Sequence, residues 1–325
     1  MAYKWVSFAH SYHNLDPTNQ MAIILLIFVF FLGIIGNVIV LFTFLKKRHR
    51  TVFEKRLVLL AIVDLVSSLC VPSLFIYGTL THFHAPHLTE PVCKIWLSLF
   101  SMSVTISQAL LVFISFERYH RIQKPFQRPY RIKFVFLAIL LFSMALVSPY
   151  TYTLKDFCRT QNVTYHKVYV SLNVVRDVIS VLAMLYFNYR TGYCLHRNQD
   201  SICVSNHSNL KSKRIFRTLL KMVVVFTILV TPVDFYQFCV LNLMSTFPPY
   251  LNQVNTMLVV LQMFNSVANI MIYSISDHNF RLKFLQSVKK IFRRGAKSGD
   301  PVQERYSKTT ATVMNDSTTT TNIWL

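Results

Sequence analysis

The chain has 325 residues, of which 53% are hydrophobic and only 14% charged, with 27 phenylalanines. That balance excludes an ordinary soluble domain and predicts several membrane spans. The net charge of +21 would suit nucleic acid, but Lys and Arg sit in short blocks between apolar runs, such as 46–50 and 289–294. Basic blocks in alternate loops are a membrane-topology signal, so nucleic acid is not an expected partner. Six scattered cysteines without a C-x-x-C pair argue against a disulfide scaffold or zinc site.

Residues 1–20 are polar with no basic lead into a cleavable signal, and are expected to form an extracellular amino-terminal tail. Apolar runs follow near 21–45, 56–80, 95–117, 133–153, 168–190, 216–241 and 252–275. Each can span a bilayer requiring ~20 helical residues, and each must be helical because lipid offers no backbone partners. The fold class is therefore an all-α membrane protein, a seven-transmembrane helix bundle over 21–275. Loops after the first, third and fifth runs hold the basic residues, including Lys46, Arg48, Arg50, Lys55 and Arg56 after the first. The opposite side has only Lys4, Lys94, Lys155, Arg159 and Lys167. The amino terminus is expected outside and the carboxyl terminus in the cytoplasm.

On the outer side, Asn162-Val163-Thr164 is a glycosylation sequon, which marks Asn162. Cys93 and Cys158 fall on the same oxidising face, where they either form a bridge or stay as thiols. Apolar residues from Phe280 to Phe292 recur at helical spacing among Arg281, Lys283, Lys289, Lys290, Arg293 and Arg294. This predicts a cytoplasmic amphipathic helix over 276–294, lying against membrane lipid. The polar stretch 295–325, rich in Ser and Thr, is expected to be a disordered cytoplasmic tail, either a phosphorylation target or simply solvated.

The third run closes on Ile114-Ser115-Phe116-Glu117-Arg118-Tyr119, after a stretch from Ser101 with no charge. Such a pair either anchors a helix end at the interface or works as a switch facing protein and water. In the second run Asp64 is a carboxylate in mid-membrane, which persists only with partners, water or a cation. Arg176 and Asp177 in the fifth run, and Asp234 and Gln237 in the sixth, are functional-site candidates on the same ground. They either receive a ligand or pair with one another.

Seven spans, the outer cysteines and the inner Glu117-Arg118-Tyr119 together resemble the rhodopsin-like (class A) G-protein-coupled receptors. Gly36-Asn37, Asp64, Ser107, Asn265, Ser266 and Asn269 match the family's inward polar positions. Cys93 matches its disulfide cysteine, which implies pairing with Cys158. The resemblance implies an extracellular ligand and a heterotrimeric G protein as partners, a plasma-membrane location, and no cofactor beyond an allosteric sodium ion. Sodium would sit at Asp64, Ser107, Asn265, Ser266 and Asn269; the alternative is a neutral Asp64 in a hydrogen-bond network. Arg118 is implied as the G-protein contact, held at rest by Glu117, with Tyr119, Tyr189 and Tyr273 in the coupling set; Tyr186 is the alternative for Tyr189. A receptor kinase and arrestin are implied for the tail.

Phe226, Pro232 and Asn269 match the family's activation switch, with departures. Val230 replaces the usual Trp, and Asn269-Ile270-Met271-Ile272-Tyr273 lacks the proline, which predicts a straighter seventh span. The base of the sixth span reads Lys211-Ser212-Lys213-Arg214, with no acid to restrain Arg118. Phe100 stands where amine receptors carry Asp, and 252–275 contains no Lys for retinal. Phe100, Arg176, Asp177, Asp234 and Gln237 are the ligand-binding candidates, and the chain looks most like peptide-type receptors. No metalloprotease, hydrolase or phosphate-loop motif occurs, so no enzyme is expected. The competing readings are a non-coupling or scavenger seven-helix receptor and an ion transporter or channel.

Overall fold

A computed structural model describes residues 15–46, 48, 50–81, 89–124, 128, 130–152, 163–197, 206–243, 248, 250–276, 281, 282 and 286. The described helices are α1 (Pro17–Leu45), α2 (Val52–Leu80), α3 (Glu90–Gln123), α4 (Ile132–Tyr152), α5 (Val163–Arg197), α6 (Asn206–Leu243), α7 (Tyr250–Met263) and α8 (Asn265–Ser276). Seven segments are long and apolar enough to cross a membrane, the seventh formed by α7 running into α8. No strand occurs among the described residues. The seven expected spans are all present. Helices α3, α5 and α6 outrun their apolar runs because hydropathy registers only the part suited to hydrocarbon, whereas the helices continue through polar residues.

Apolar side chains face both inward and outward, as expected where lipid is as apolar as leucine. Phe28, Phe31, Leu182 and Ile228 are exposed on the outer surface. Inside, one cluster gathers Leu60, Leu110, Ile114, Leu219, Met222 and Phe226 from α2, α3 and α6. A second, toward the other end, joins Leu26, Val71, Val233, Val259 and Met263.

Three local devices position the polar groups. Thr51 and Glu54 form a capping box: Glu54 N–H donates to Thr51 Oγ1 at 3.3 Å and Thr51 N–H to Glu54 Oε2 at 2.7 Å. Helix α2 therefore starts at Val52, and Arg56, expected in a loop, lies inside the helix and is buried. In α1, a Cβ on Gly33 would lie 2.2 Å from Ser68 Oγ, and one on Gly36 would lie 2.4 Å from Ile270 Cδ1. At Gly33 the Cβ would also fall 2.7 Å from Ser68 Cβ, so only glycine admits α2 this closely, whereas at Gly36 the overlap is with the end of the Ile270 side chain on α8. The seventh span is divided at Phe264, whose N–H donates to both Val260 and Leu261 carbonyls. An expected straighter span is thus interrupted without a proline, through a tightened turn. Of the stretch 276–294 only Ser276, Arg281, Leu282 and Gln286 are described; Arg281 and Leu282 are exposed.

Candidate functional site

From the middle of α3 toward the end opposite Arg118, α3, α5 and α6 bring a charged group into the interior. Arg176 Nε and Nη2 donate to Asp177 Oδ1 at 3.1 and 2.8 Å, and Nη2 also to Asp234 Oδ2 at 3.0 Å. Nη1 donates to Thr105 Oγ1 at 2.9 Å and Asn173 Oδ1 at 3.0 Å. Gln108 Nε2 donates to Asp177 Oδ1 at 3.0 Å, yet Gln108 Oε1 and Asp177 Oδ2 are buried without a protein partner. Two carboxylates face one guanidinium, so with all three ionised the group carries a net negative charge. Arg176, Asp234, Gln237 and Phe100 line a cavity of about 180 Å³, with Asp177 buried behind them. Gln237 Nε2 donates to Asn255 Oδ1 at 3.1 Å across to α7. Four of the expected ligand residues therefore share one chamber, and the fifth, Asp177, does not line it but bonds to Arg176 from behind.

Midway along α3, Ser107 Oγ donates to Asp64 Oδ1 at 3.3 Å and Asn269 Nδ2 to Asp64 Oδ2 at 2.8 Å. Asn37 Nδ2 donates to the Ser266 carbonyl at 3.2 Å, joining α1 to α8. Asn265 and Ser266 are buried. One carboxylate beside a hydroxyl oxygen is a donor set of the kind a hard cation takes, with the Asn269 amide turning its nitrogen to the carboxylate here. No group of three or more His, Cys, Asp or Glu side chains placed to hold a metal ion occurs among the described residues.

At the far end, Glu117 does not turn to Arg118. Arg56 Nε donates to Glu117 Oε2 and Arg56 Nη2 to Oε1, both at 3.2 Å. Arg121 Nη2 lies 3.6 Å from Oε1. Arg118 instead places its guanidinium 4.8 Å from the Phe53 ring centre, and no described carboxylate lies within ion-pair distance of it. Arg118, Glu117, Phe53 and Ile215 line a cleft of about 150 Å³. The expected hold of Glu117 on Arg118 is replaced by a bond to α2, because a fork from Arg56 engages both oxygens at once.

The remaining expected residues divide. Phe226 is in the core beside Val230, and Pro232 lies inside α6. Tyr119 meets Tyr186 and Phe187 of α5 with ring centres 6.5 and 5.9 Å apart. Tyr189 is not brought to this group: it is 71% exposed and lines an outer groove with Leu185, Tyr193, Phe216 and Leu220. The buried polar residue of that region is Asn188, which donates to Ser115 Oγ at 3.3 Å. Cys93 is buried and disulfide-bonded, while Cys158 and Asn162 lie outside the described residues. Tyr273 lies in α8; its side chain is outside the described residues.

Two contributors escape a reading of the sequence by charge counting. Arg56 is one; its signal is Thr51-x-x-Glu54, which starts the helix early, and the spacing Arg56, Leu60, Asp64, which repeats on one helical face. Gln108 is the other. It is uncharged, and only its place one residue beyond Ser107 on α3 marks it.

A family model described as 7 transmembrane receptor (rhodopsin family) matches residues 36–273, well over half of the chain. Probable G-protein coupled receptor 34 of Mus musculus is 24% identical over 300 residues, 85% of this chain and 79% of that protein. Chemerin-like receptor 2 of Macaca fascicularis is 27% identical over 86% of this chain and 82% of its own length. Cholecystokinin receptor type A of Oryctolagus cuniculus is 36% identical over 44% of this chain and 35% of its own.

Proposed function

Because the chain belongs to the rhodopsin family of seven-transmembrane receptors, a receptor family and not an enzyme family, we propose that it receives an extracellular ligand and activates a heterotrimeric G protein. One observation carries the reading. A charged, chambered group meets α3 near its middle, at Thr105 and Gln108, and an arginine lies in a cleft near the end of the same helix, with the Asp64–Asn269 bond beside the stretch between them. Thr105 and Arg118 are thirteen residues apart, or about 20 Å at the helical rise.

The chamber's chemistry supports a ligand that presents a cation. An ionised second carboxylate leaves Arg176 only partly compensating the charge, and an incoming ammonium or guanidinium would complete the balance in a poorly hydrated space. A peptide with a basic residue meets this requirement, and the relative named as a cholecystokinin receptor supports the peptide class. The asymmetry of Lys and Arg supports residues 1–20 as the extracellular tail, the bundle at 21–275 in the plasma membrane, and 276–294 and 295–325 on the cytoplasmic side. On that orientation Cys93 pairs with Cys158, Asn162 is the glycosylation acceptor, and the Ser/Thr-rich tail serves a receptor kinase and arrestin. Asp64, Ser107, Asn265, Ser266 and Asn269 would hold sodium, which supplies a positive charge that offsets a buried carboxylate.

The test is nucleotide exchange in membranes carrying the full chain and a panel of G proteins, with and without a library of basic peptides. Exchange should exceed that of Arg118→Ala in at least one pairing; equality in every pairing rejects coupling. Val230 and Ile270, buried where the family carries Trp and Pro, favour one second reading, a receptor that binds without coupling. That reading predicts internalisation of bound peptide with no exchange.

A further inference from the structure

Arg56 is the basic side chain that the coupling account leaves unused, and it is 2% exposed. Its guanidinium meets three residues of two separate segments. It grips Glu117 of α3 through two bonds of 3.2 Å, one to each carboxylate oxygen. Its Nη2 also donates to the Tyr130 carbonyl at 2.8 Å, in the connection between α3 and α4. Its Cζ lies 5.3 Å from the Phe113 ring centre. A bidentate, buried guanidinium–carboxylate pair is the strongest arrangement available to these groups, and breaking it leaves an uncompensated charge. Arg121, a third exposed and 3.6 Å away, is a weaker competitor.

We propose that Arg56 is a positioning residue for the coupling end: by occupying both oxygens of Glu117 it keeps Arg118 off that carboxylate and parked on Phe53. Arg118 then stands in the cleft without an acidic restraint, since Glu117 is bound elsewhere. The resting receptor is set toward exchange by an α2–α3 bond that withdraws the neighbouring acid. Loss of Arg56 reverses the setting, because Glu117 then keeps only the part-exposed Arg121 at 3.6 Å and is free to draw in Arg118, the next residue along the chain. The functional half of this inference rests on the coupling reading above; the pairing half does not.

Two measurements on the full chain separate them. The first is a pair of double-variant cycles in the melting temperature of the detergent-solubilised receptor. Arg56→Met with Glu117→Gln should lower it by clearly less than the sum of the single shifts, whereas Arg118→Met with Glu117→Gln should be additive. Coupling of Glu117 to Arg118 instead of Arg56 overturns the proposal, whether or not the chain activates a G protein. The second is ligand-free nucleotide exchange per receptor at the cell surface. Arg56→Met should lower it about five-fold, equivalent to about 1 kcal/mol at about 1.4 kcal/mol per decade. Adding Glu117→Gln should return it to the level of Glu117→Gln alone, because no acid then remains to capture Arg118. Arg56→Lys, which keeps the charge but loses the fork, should fall between. A low Arg56→Met signal that Glu117→Gln does not lift assigns Arg56 a merely structural part and also overturns the proposal. Absence of exchange in every variant, parent included, refutes coupling and the functional half with it; the melting cycles still decide the pairing.

Discussion

Replacing Arg176 by leucine should destabilise the bundle more than any loss of a surface ion pair. The side chain makes five hydrogen bonds to Asp177, Asp234, Thr105 and Asn173. Its own side-chain exposure is 8%, and those of the two acids are 0% and 9%. Solvent screening, which reduces an exposed pair to ~0–1 kcal/mol, therefore has little hold here. Removing the shared cation leaves two buried carboxylates facing each other, and breaking a buried pair costs roughly 3–5 kcal/mol. Soluble domains of moderate size lose about 2–4 °C per kcal/mol, so Arg176→Leu should lower the melting temperature on the order of 10 °C. The assay is the fraction of monomeric, detergent-solubilised receptor that survives heating, resolved by size exclusion. Arg176→Leu with Asp234→Asn should melt above Arg176→Leu alone, since one of the stranded charges is gone. A single variant melting within about 1 °C of the parent, or strict additivity with Asp234→Asn, would refute the arrangement.

Gly33→Leu should abolish surface expression, because its first side-chain atom would already overlap Ser68 Oγ; confocal counting of tagged receptor checks this. Thr51→Ala removes the hydroxyl half of the capping box and should cost about 1 kcal/mol, read as a small drop in melting temperature. Sodium at ten times its dissociation constant should stabilise the parent by about 1.4 kcal/mol. In Asp64→Asn that salt-specific rise should vanish against a potassium control.

The spans were legible because a bilayer imposes one length and one polarity on every crossing segment, and seven apolar runs in this chain satisfy both. Asp64, Asn269, Arg176 and Asp234 were legible for a related reason: a polar group in such a run has few tolerable environments. Direction along the helix circumference was less accessible. Tyr189 and Asn188 are adjacent, yet one faces outward and the other binds Ser115; a span apolar on all sides has no polar stripe to fix its rotation. Partner choice was the hardest. Charge counting at the membrane edge puts Arg56 in a loop, and the family resemblance joins Glu117 to its neighbour Arg118. The cap at Thr51 and the helical spacing to Asp64 place Arg56 in the interior, where geometry favours the distant pair over the adjacent one.

The glycine seam of α1 has a mechanical consequence. Contact through Gly33 and Gly36, with Asn37 bonded to Ser266 and Asn269 bonded to Asp64, fastens α1, α2 and α8 into one block. In α6, by contrast, Pro232 removes a rung of the backbone ladder; on the Ile215 side of it the helix packs mostly through apolar contacts, while beyond it Asp234 and Gln237 make polar bonds to α5 and α7. The bundle is therefore built unevenly, with one side fixed by close backbone contact and buried polar bonds and a proline dividing the helix on the other. Ile215 of α6 lines the cleft that holds Arg118, and Asp234 of the same helix is bonded to Arg176 at the chamber, so on the receptor reading proposed above α6 is the span that would join the two.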